Sequence, residues 1–135
     1  MTPTLSPQVL GRAENAHRAL LESLLAGSGL GYPQWVALKI AAGAGPADRG
    51  DLAARIAGAL KTGAPAARAA LDDLAAAGLL DDGGLTAAGR DLHDRLTAAV
   101  TEATARAYSA VTAADLATAG RVLDAVTARI DAELA

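Results

Sequence analysis

Between Ile56 and Leu80 one side chain, Arg68, carries a planar fork of donors that can hold the edge of a guanine. Wound as a helix, this stretch turns Ala67, Ala70, Leu71 and Leu74 into a single buried stripe. Pro65, Ala66, Arg68, Ala69 and Asp72 then lie off that stripe, and the alanines among them can touch thymine methyls. Just before them, Lys61 and Thr62 offer an ammonium and a hydroxyl of the kind that contact phosphate oxygens. Arg55 and Arg90 are further candidates for that role. A blander arrangement uses the same residues: Arg68 pairs with Asp72 at i, i+4 on a solvated face.

Two helices and a tight turn are needed to present these side chains. Ile56 and Leu60 share a face of the first helix, with Asp48 or Asp51 as its cap, and Lys61-Thr62-Gly63 breaks the pattern. Pro65 opens the second helix, where a missing N–H is tolerated, and Gly78 closes it. A helical hairpin of this kind is the helix-turn-helix unit, whose second helix can enter a DNA major groove, although purely structural hairpins bury themselves in the same way. Downstream, Asp81-Asp82-Gly83-Gly84 between Leu79-Leu80 and Leu85 signals a two-strand turn.

Upstream, Met1–Leu5 is expected to fray and Ser6-Pro7 to start a helix that runs to Gly27. Its apolar stripe is Leu10, Ala13, His17, Leu20, Leu21 and Leu24. Pro33 opens a helix buried on more than one side, with Trp35, Leu38 and Ala42 on one face and Val36 and Ile40 on another; Gly43–Arg49 reads as a loop. After Thr86 comes a long helix with Leu92, Leu96, Ala99, Val100, Ala103 and Ala107 on one side. Thr112-Ala113-Ala114-Asp115 resembles a capping box, flanked by Val111 and Leu116, and the last helix repeats Leu116, Ala119, Leu123, Val126 and Ile130 at spacings of three and four.

Composition narrows the function classes. The 135 residues suffice for one domain, contain no cysteine, and include no Phe, one Trp and two Tyr, so the core must be Leu, Ile, Val and Ala and the class mostly α. Disulfides, thiolate zinc sites and cysteine nucleophiles are excluded. No apolar run reaches a membrane span and no signal pattern opens the chain, so a cytoplasmic protein without membrane partners is expected. The net charge of −3 argues against non-specific coating of nucleic acid. Residues 46–90 hold five basic against six acidic side chains, and residues 91–135 four against seven, so the reading region is the nearer to neutral.

Catalysis is not expected. There is no nucleophile–base pair, no phosphate-cradling glycine loop, and adjacent pairs such as Asp72-Asp73 diverge on a helix. Glu14-x-x-His17 occurs once, whereas a di-iron bundle needs two copies and two more glutamates. No metal or cofactor is expected. His93, between Asp91 and Asp94, reads as a solvated surface residue.

Several segments, in order, resemble the MarR family (multiple antibiotic resistance regulators). Pro33-Gln34-Trp35-Val36-Ala37-Leu38 is similar to its second-helix start and Ile56-Ala57-Gly58-Ala59-Leu60 to its "LAxxL" third helix. Leu71–Leu80 resembles its "LxxLExxGLV" exit from the recognition helix, and Leu85-Thr86-Ala87-Ala88-Gly89-Arg90 its "LTxxGR" after the wing. The resemblance implies a winged helix-turn-helix on a helical dimerisation domain. It implies a homodimer on palindromic DNA, released in many members by a small aromatic or phenolic ligand. A pocket for such a ligand would be edged by His17, Tyr32 and Trp35. The family's longer wing carries an arginine for the minor groove; Asp81-Asp82-Gly83-Gly84 is short and acidic and lacks it.

The expected protein is therefore one MarR-like domain over residues 1–135, with dimerisation helices at 6–30 and 87–135 and the winged helix-turn-helix at 32–86. Its expected partners are a pseudo-palindromic operator, a second copy of itself and a small ligand. The acidic wing leaves open a second reading, a winged-helix dimer that binds a protein instead of DNA.

Overall fold

The computed structural model describes residues 3–135, so Met1 and Thr2, at the start of the stretch expected to fray, lie outside it. The chain forms two compact units, one ending at Val100 and one comprising Thr101–Ala135.

The first unit holds α1 (Pro7–Leu25), α2 (Tyr32–Ala44), α3 (Arg49–Leu60), α4 (Ala64–Ala76), β1 (Leu80–Asp81), β2 (Gly84–Leu85) and the greater part of α5 (Ala87–Tyr108). Helices α2, α3 and α4 pack on one another around Leu38, Leu52, Ile56, Leu71 and Leu74, all essentially inaccessible to solvent. Each such side chain contributes roughly 1.5–3 kcal/mol by leaving water. Ala37, Ala41, Ala53, Ala67 and Ala70 are also buried, and their small size lets the three helices approach closely. As expected, α2 is buried on several sides, through Trp35, Val36, Ala37, Leu38 and Ala41. It runs further than the glycine pattern suggests: Gly43 stays helical and the break falls at Gly45, whose φ of +65° suits glycine.

Helix α1 starts where Ser6 accepts the Val9 N–H on its Oγ at 3.2 Å. Of its stripe, Leu21 and Leu24 are half-buried while Leu10 and Leu20 remain exposed, and the one fully buried residue of the helix is Leu25.

In the second unit the end of α5 leads through a turn, closed by the Val111 N–H on the Tyr108 carbonyl at 3.1 Å, into α6 (Ala113–Leu134). Thr112 caps α6, its Oγ1 accepting the Asp115 N–H at 3.1 Å. No residue of α6 is buried, and the stripe read from its spacing lies open at Leu116, Val126 and Ile130. Among the described residues no helix is long and apolar enough to cross a membrane.

Candidate nucleic-acid interface

Asp48 starts α3 by accepting the Gly50 and Asp51 N–H groups on one carboxylate oxygen, at 3.0 and 3.3 Å. The helix ends on Lys61, which adopts the left-handed conformation at φ 54°, ψ 44°. The Thr62 N–H then reaches the Ala57 carbonyl at 3.0 Å, the backward bond that seals a helix end and is ordinarily made around glycine. A lysine held this way is strained by about 1–2 kcal/mol. Gly63 is the N-cap of α4 and Pro65 lies in its first turn.

Helix α4 buries Ala67, Ala70, Leu71 and Leu74 and exposes Pro65, Ala66, Arg68, Ala69 and Asp72, as the spacing requires. Arg68 and Asp72 do not pair. The Asp72 carboxylate instead meets Arg49 at the start of α3, Nη1 to Oδ1 3.5 Å, and no ion pair among the described residues involves Arg68. Arg49, Gly50, Arg68, Leu71 and Asp72 together line a cleft of about 250 Å³. Arg55 on α3 and Arg90 in the first turn of α5 are exposed.

Two contacts fix the orientation of α4. Gln34, at the start of α2, accepts the Gly31 N–H and donates to Asp73 Oδ2 at 2.9 Å, so the second of the paired aspartates serves packing. At the same C-terminal end Gly78, φ +78°, closes the helix while the Leu79 N–H returns to the Leu74 carbonyl at 2.9 Å.

The wing pairs Leu80 with Leu85 and Asp81 with Gly84, leaving Asp82-Gly83 as its tip. Asp81 Oδ1 accepts the Gly83 N–H at 2.8 Å, which tightens the turn. Thr86 ties the wing to the start of α5: its hydroxyl donates to the Gly78 carbonyl at 2.7 Å and accepts the Gly89 N–H at 3.0 Å. Gly89 has no room for a side chain, since a Cβ there would fall on the Leu79 carbonyl oxygen, within 3.0 Å of the carbonyl carbon.

The three residues expected to edge a ligand pocket occupy different environments. His17 is exposed on α1 and donates from Nδ1 to the Ala13 carbonyl at 2.7 Å. Tyr32 is half-buried beneath the Arg18 guanidinium, 4.4 Å from its ring centre. Trp35 is 2% exposed, with Lys39 Nζ 5.4 Å from its ring centre and His93 stacked on it at 6.2 Å. His93 is thus a half-buried partner of Trp35 and not the solvated residue its flanking aspartates suggest. A second cleft, of about 390 Å³, is lined by Leu24, Ala26, Gly27, Ser28, Leu92, Arg95 and Leu96, and by none of those three.

No protein-family model matches the sequence, and no curated protein does. Solved structures do match. One is the Mycobacterium tuberculosis MarR family protein Rv2887 in complex with DNA, 26% identical, spanning 92% of this chain and 98% of that one at a TM-score of 0.73. The same protein with salicylic acid aligns at 0.66 over 92% and 99%. The chain resembles MarR family proteins in both fold and sequence. A MarR family transcriptional regulator of Rhodococcus sp. RHA1 shares the fold at a TM-score of 0.75 and 18% identity, over 93% and 98% of the two chains.

Set beside the MarR pattern, Leu85-Thr86 and Gly89 have a physical reason. Thr86 closes the wing and caps α5, and Gly89 lets α5 start against the backbone of Leu79. The contribution of Arg49 escaped the sequence reading. Its partner Asp72 lies far along the chain, and nothing local to either residue marks the pairing.

Proposed function

We propose that this MarR-like regulator binds a pseudo-palindromic operator as a homodimer, reading each half-site with the exposed face of α4. The observation that carries the reading is that face itself. Among the described residues Arg68 has no ion-pair partner, and it stands beside Pro65, Ala66 and Ala69, small apolar residues that let a helix sit deep in a groove. In this reading Arg68 holds a guanine edge, the neighbouring alanines meet thymine methyls, and Lys61 and Thr62 contact phosphates at the turn. Arg55 and Arg90 flank them as secondary phosphate contacts. The DNA complex of Rv2887, matched over nearly both full chains, supports this assignment.

Dimerisation is supported by where apolar surface stays open. Leu10 and Leu20 on α1 and Val122, Val126, Ile130 and Leu134 on α6 are each at least 38% exposed, and they lie within the segments expected to pair. Side chains of this kind left open along two helices support a protein contact there.

A small aromatic acid would tune the protein, a reading supported by the salicylic acid complex of Rv2887. The cleft between Leu24–Ser28 and Leu92–Leu96 suits such a ligand better than the surroundings of Trp35. It combines leucine side chains with the Arg95 guanidinium, whose Nε donates to Asp91 at 3.2 Å and whose remaining N–H groups are left for a carboxylate, whereas Trp35 presents almost no surface. Salicylate should therefore weaken operator binding, and Arg95→Ala should blunt that effect. Equal effects on both proteins would remove the cleft from the account, and no effect on either would remove the ligand.

The test of the DNA reading is Arg68→Ala against an operator with each base pair of a half-site changed in turn. The substitution should lower affinity by about 1–3 kcal/mol and relax preference at one base step per half-site. One observation favours a protein partner instead: the wing tip presents Asp81 and Asp82, both exposed, and no cation. If Arg68→Ala leaves operator affinity unchanged while Asp81→Ala and Asp82→Ala abolish capture of a protein partner, the interaction module replaces the regulator.

A further inference from the structure

The cleft between the start of α3 and the exposed side of α4 holds two guanidinium groups, Arg49 and Arg68, and one carboxylate, Asp72, a net charge of +1. Its single bridge, Arg49 Nη1 to Asp72 Oδ1 at 3.5 Å, joins side chains that are 42% and 76% exposed. A pair so open to water adds little to stability, so its physical consequence is to restrict where the Arg49 guanidinium points. One contact at one nitrogen leaves most of the five donors of Arg49 unused, and no other partner engages them among the described residues. The neighbouring residues keep that side clear. Asp48 is committed to capping α3, and Gly50 carries no side chain; a Cβ there would strike Asp48 Oδ2 at 2.8 Å.

Asp72 needs an explanation on a surface proposed to enter DNA. A lone carboxylate among phosphates is repelled, and a cytosine-reading carboxylate needs its oxygens free for the base amino group. Here the carboxylate has a cation beside it. A guanidinium can take a carboxylate on one edge and a phosphate on the other. We propose that Arg49 makes a backbone-phosphate contact in each half-site and that Asp72 is the residue that positions it. The inference rests on the operator-binding reading and adds to it a phosphate contact in α3 and a non-reading role for Asp72.

Fluorescence anisotropy of the full chain on operator and scrambled duplexes of equal length, across a salt series, tests this. Arg49→Ala should weaken both duplexes by the same factor. The slope of log K against log salt should fall by about 1.8 for a dimer, so that between roughly 50 and 200 mM salt the variant loses about tenfold less affinity than the unsubstituted protein. Arg49→Lys should retain the slope, which separates lost charge from lost fold. Asp72→Asn should strengthen binding to the scrambled duplex, lower the operator-to-scrambled ratio a few-fold, and have no further effect on that ratio once Arg49 is alanine. An unchanged slope in Arg49→Ala overturns the phosphate contact. An equal fall of the ratio with and without Arg49 overturns the positioning role and makes Asp72 a base reader. Failure of the unsubstituted protein to bind any operator refutes the regulator reading itself, and this inference falls with it.

Discussion

Lys61 brings backbone strain and a proposed phosphate contact together in one residue. It occupies a left-handed position that glycine fills at lower energy, and it does so in the turn that faces a phosphate in the proposed complex. Replacing it by glycine relieves the strain but adds freedom to the unfolded chain, two effects of similar size and opposite sign. Lys61→Gly should therefore leave stability unchanged or raise it by up to about 1 kcal/mol in a denaturant melt. The same variant should bind all DNA sequences more weakly, with the salt slope reduced by about 1.8 per dimer. A large loss of stability would show that the lysine side chain, not its charge toward DNA, is what the turn needs. The sequence marks Lys61 as a candidate phosphate contact because a break in apolar spacing is a local signal. Its left-handed conformation is not legible, because nothing in Lys61-Thr62-Gly63 marks the lysine rather than the glycine as the residue at which the chain turns.

At the scale of elements, periodicity made most of the fold legible. The burial of Ala67, Ala70, Leu71 and Leu74 and the exposure of Arg68 come from a 3.6-residue repeat, and the Asp81–Gly84 turn from its composition. Pairings between distant elements could not be read. Asp73 to Gln34 spans 39 positions, Asp72 turns from its helical neighbour to Arg49, and His93 stacks on Trp35 of another helix. Gly89 belongs with these: the sequence shows a glycine in a helix, and only the packing of α5 on the Leu79 carbonyl shows why. Gly89→Ala should lower stability by about 1–3 kcal/mol or more, because the obstacle is backbone and cannot rotate away. A thermal melt that does not move would mean that α5 and β1 can separate without cost.

For the whole molecule, the open apolar side chains of α1 and α6 and the exposed face of α4 are parts of one proposal: two copies joined through their terminal helices, presenting two reading helices to one face of DNA. A two-fold protein requires a two-fold site with half-sites separated by about 34–36 Å, one turn of the duplex, or a multiple of that. In that proposal the short acidic wing places the weight of binding on α4 and its turn. The most direct test is a titration of the chain against DNA upstream of its own coding sequence, at roughly 50 and 200 mM salt, with stoichiometry measured by sedimentation. Two protomers on a pseudo-palindromic site, bound more tightly than scrambled DNA and weakened as salt rises, is the predicted result. A stable monomer at micromolar concentration that retards no DNA even at the lower salt would contradict it.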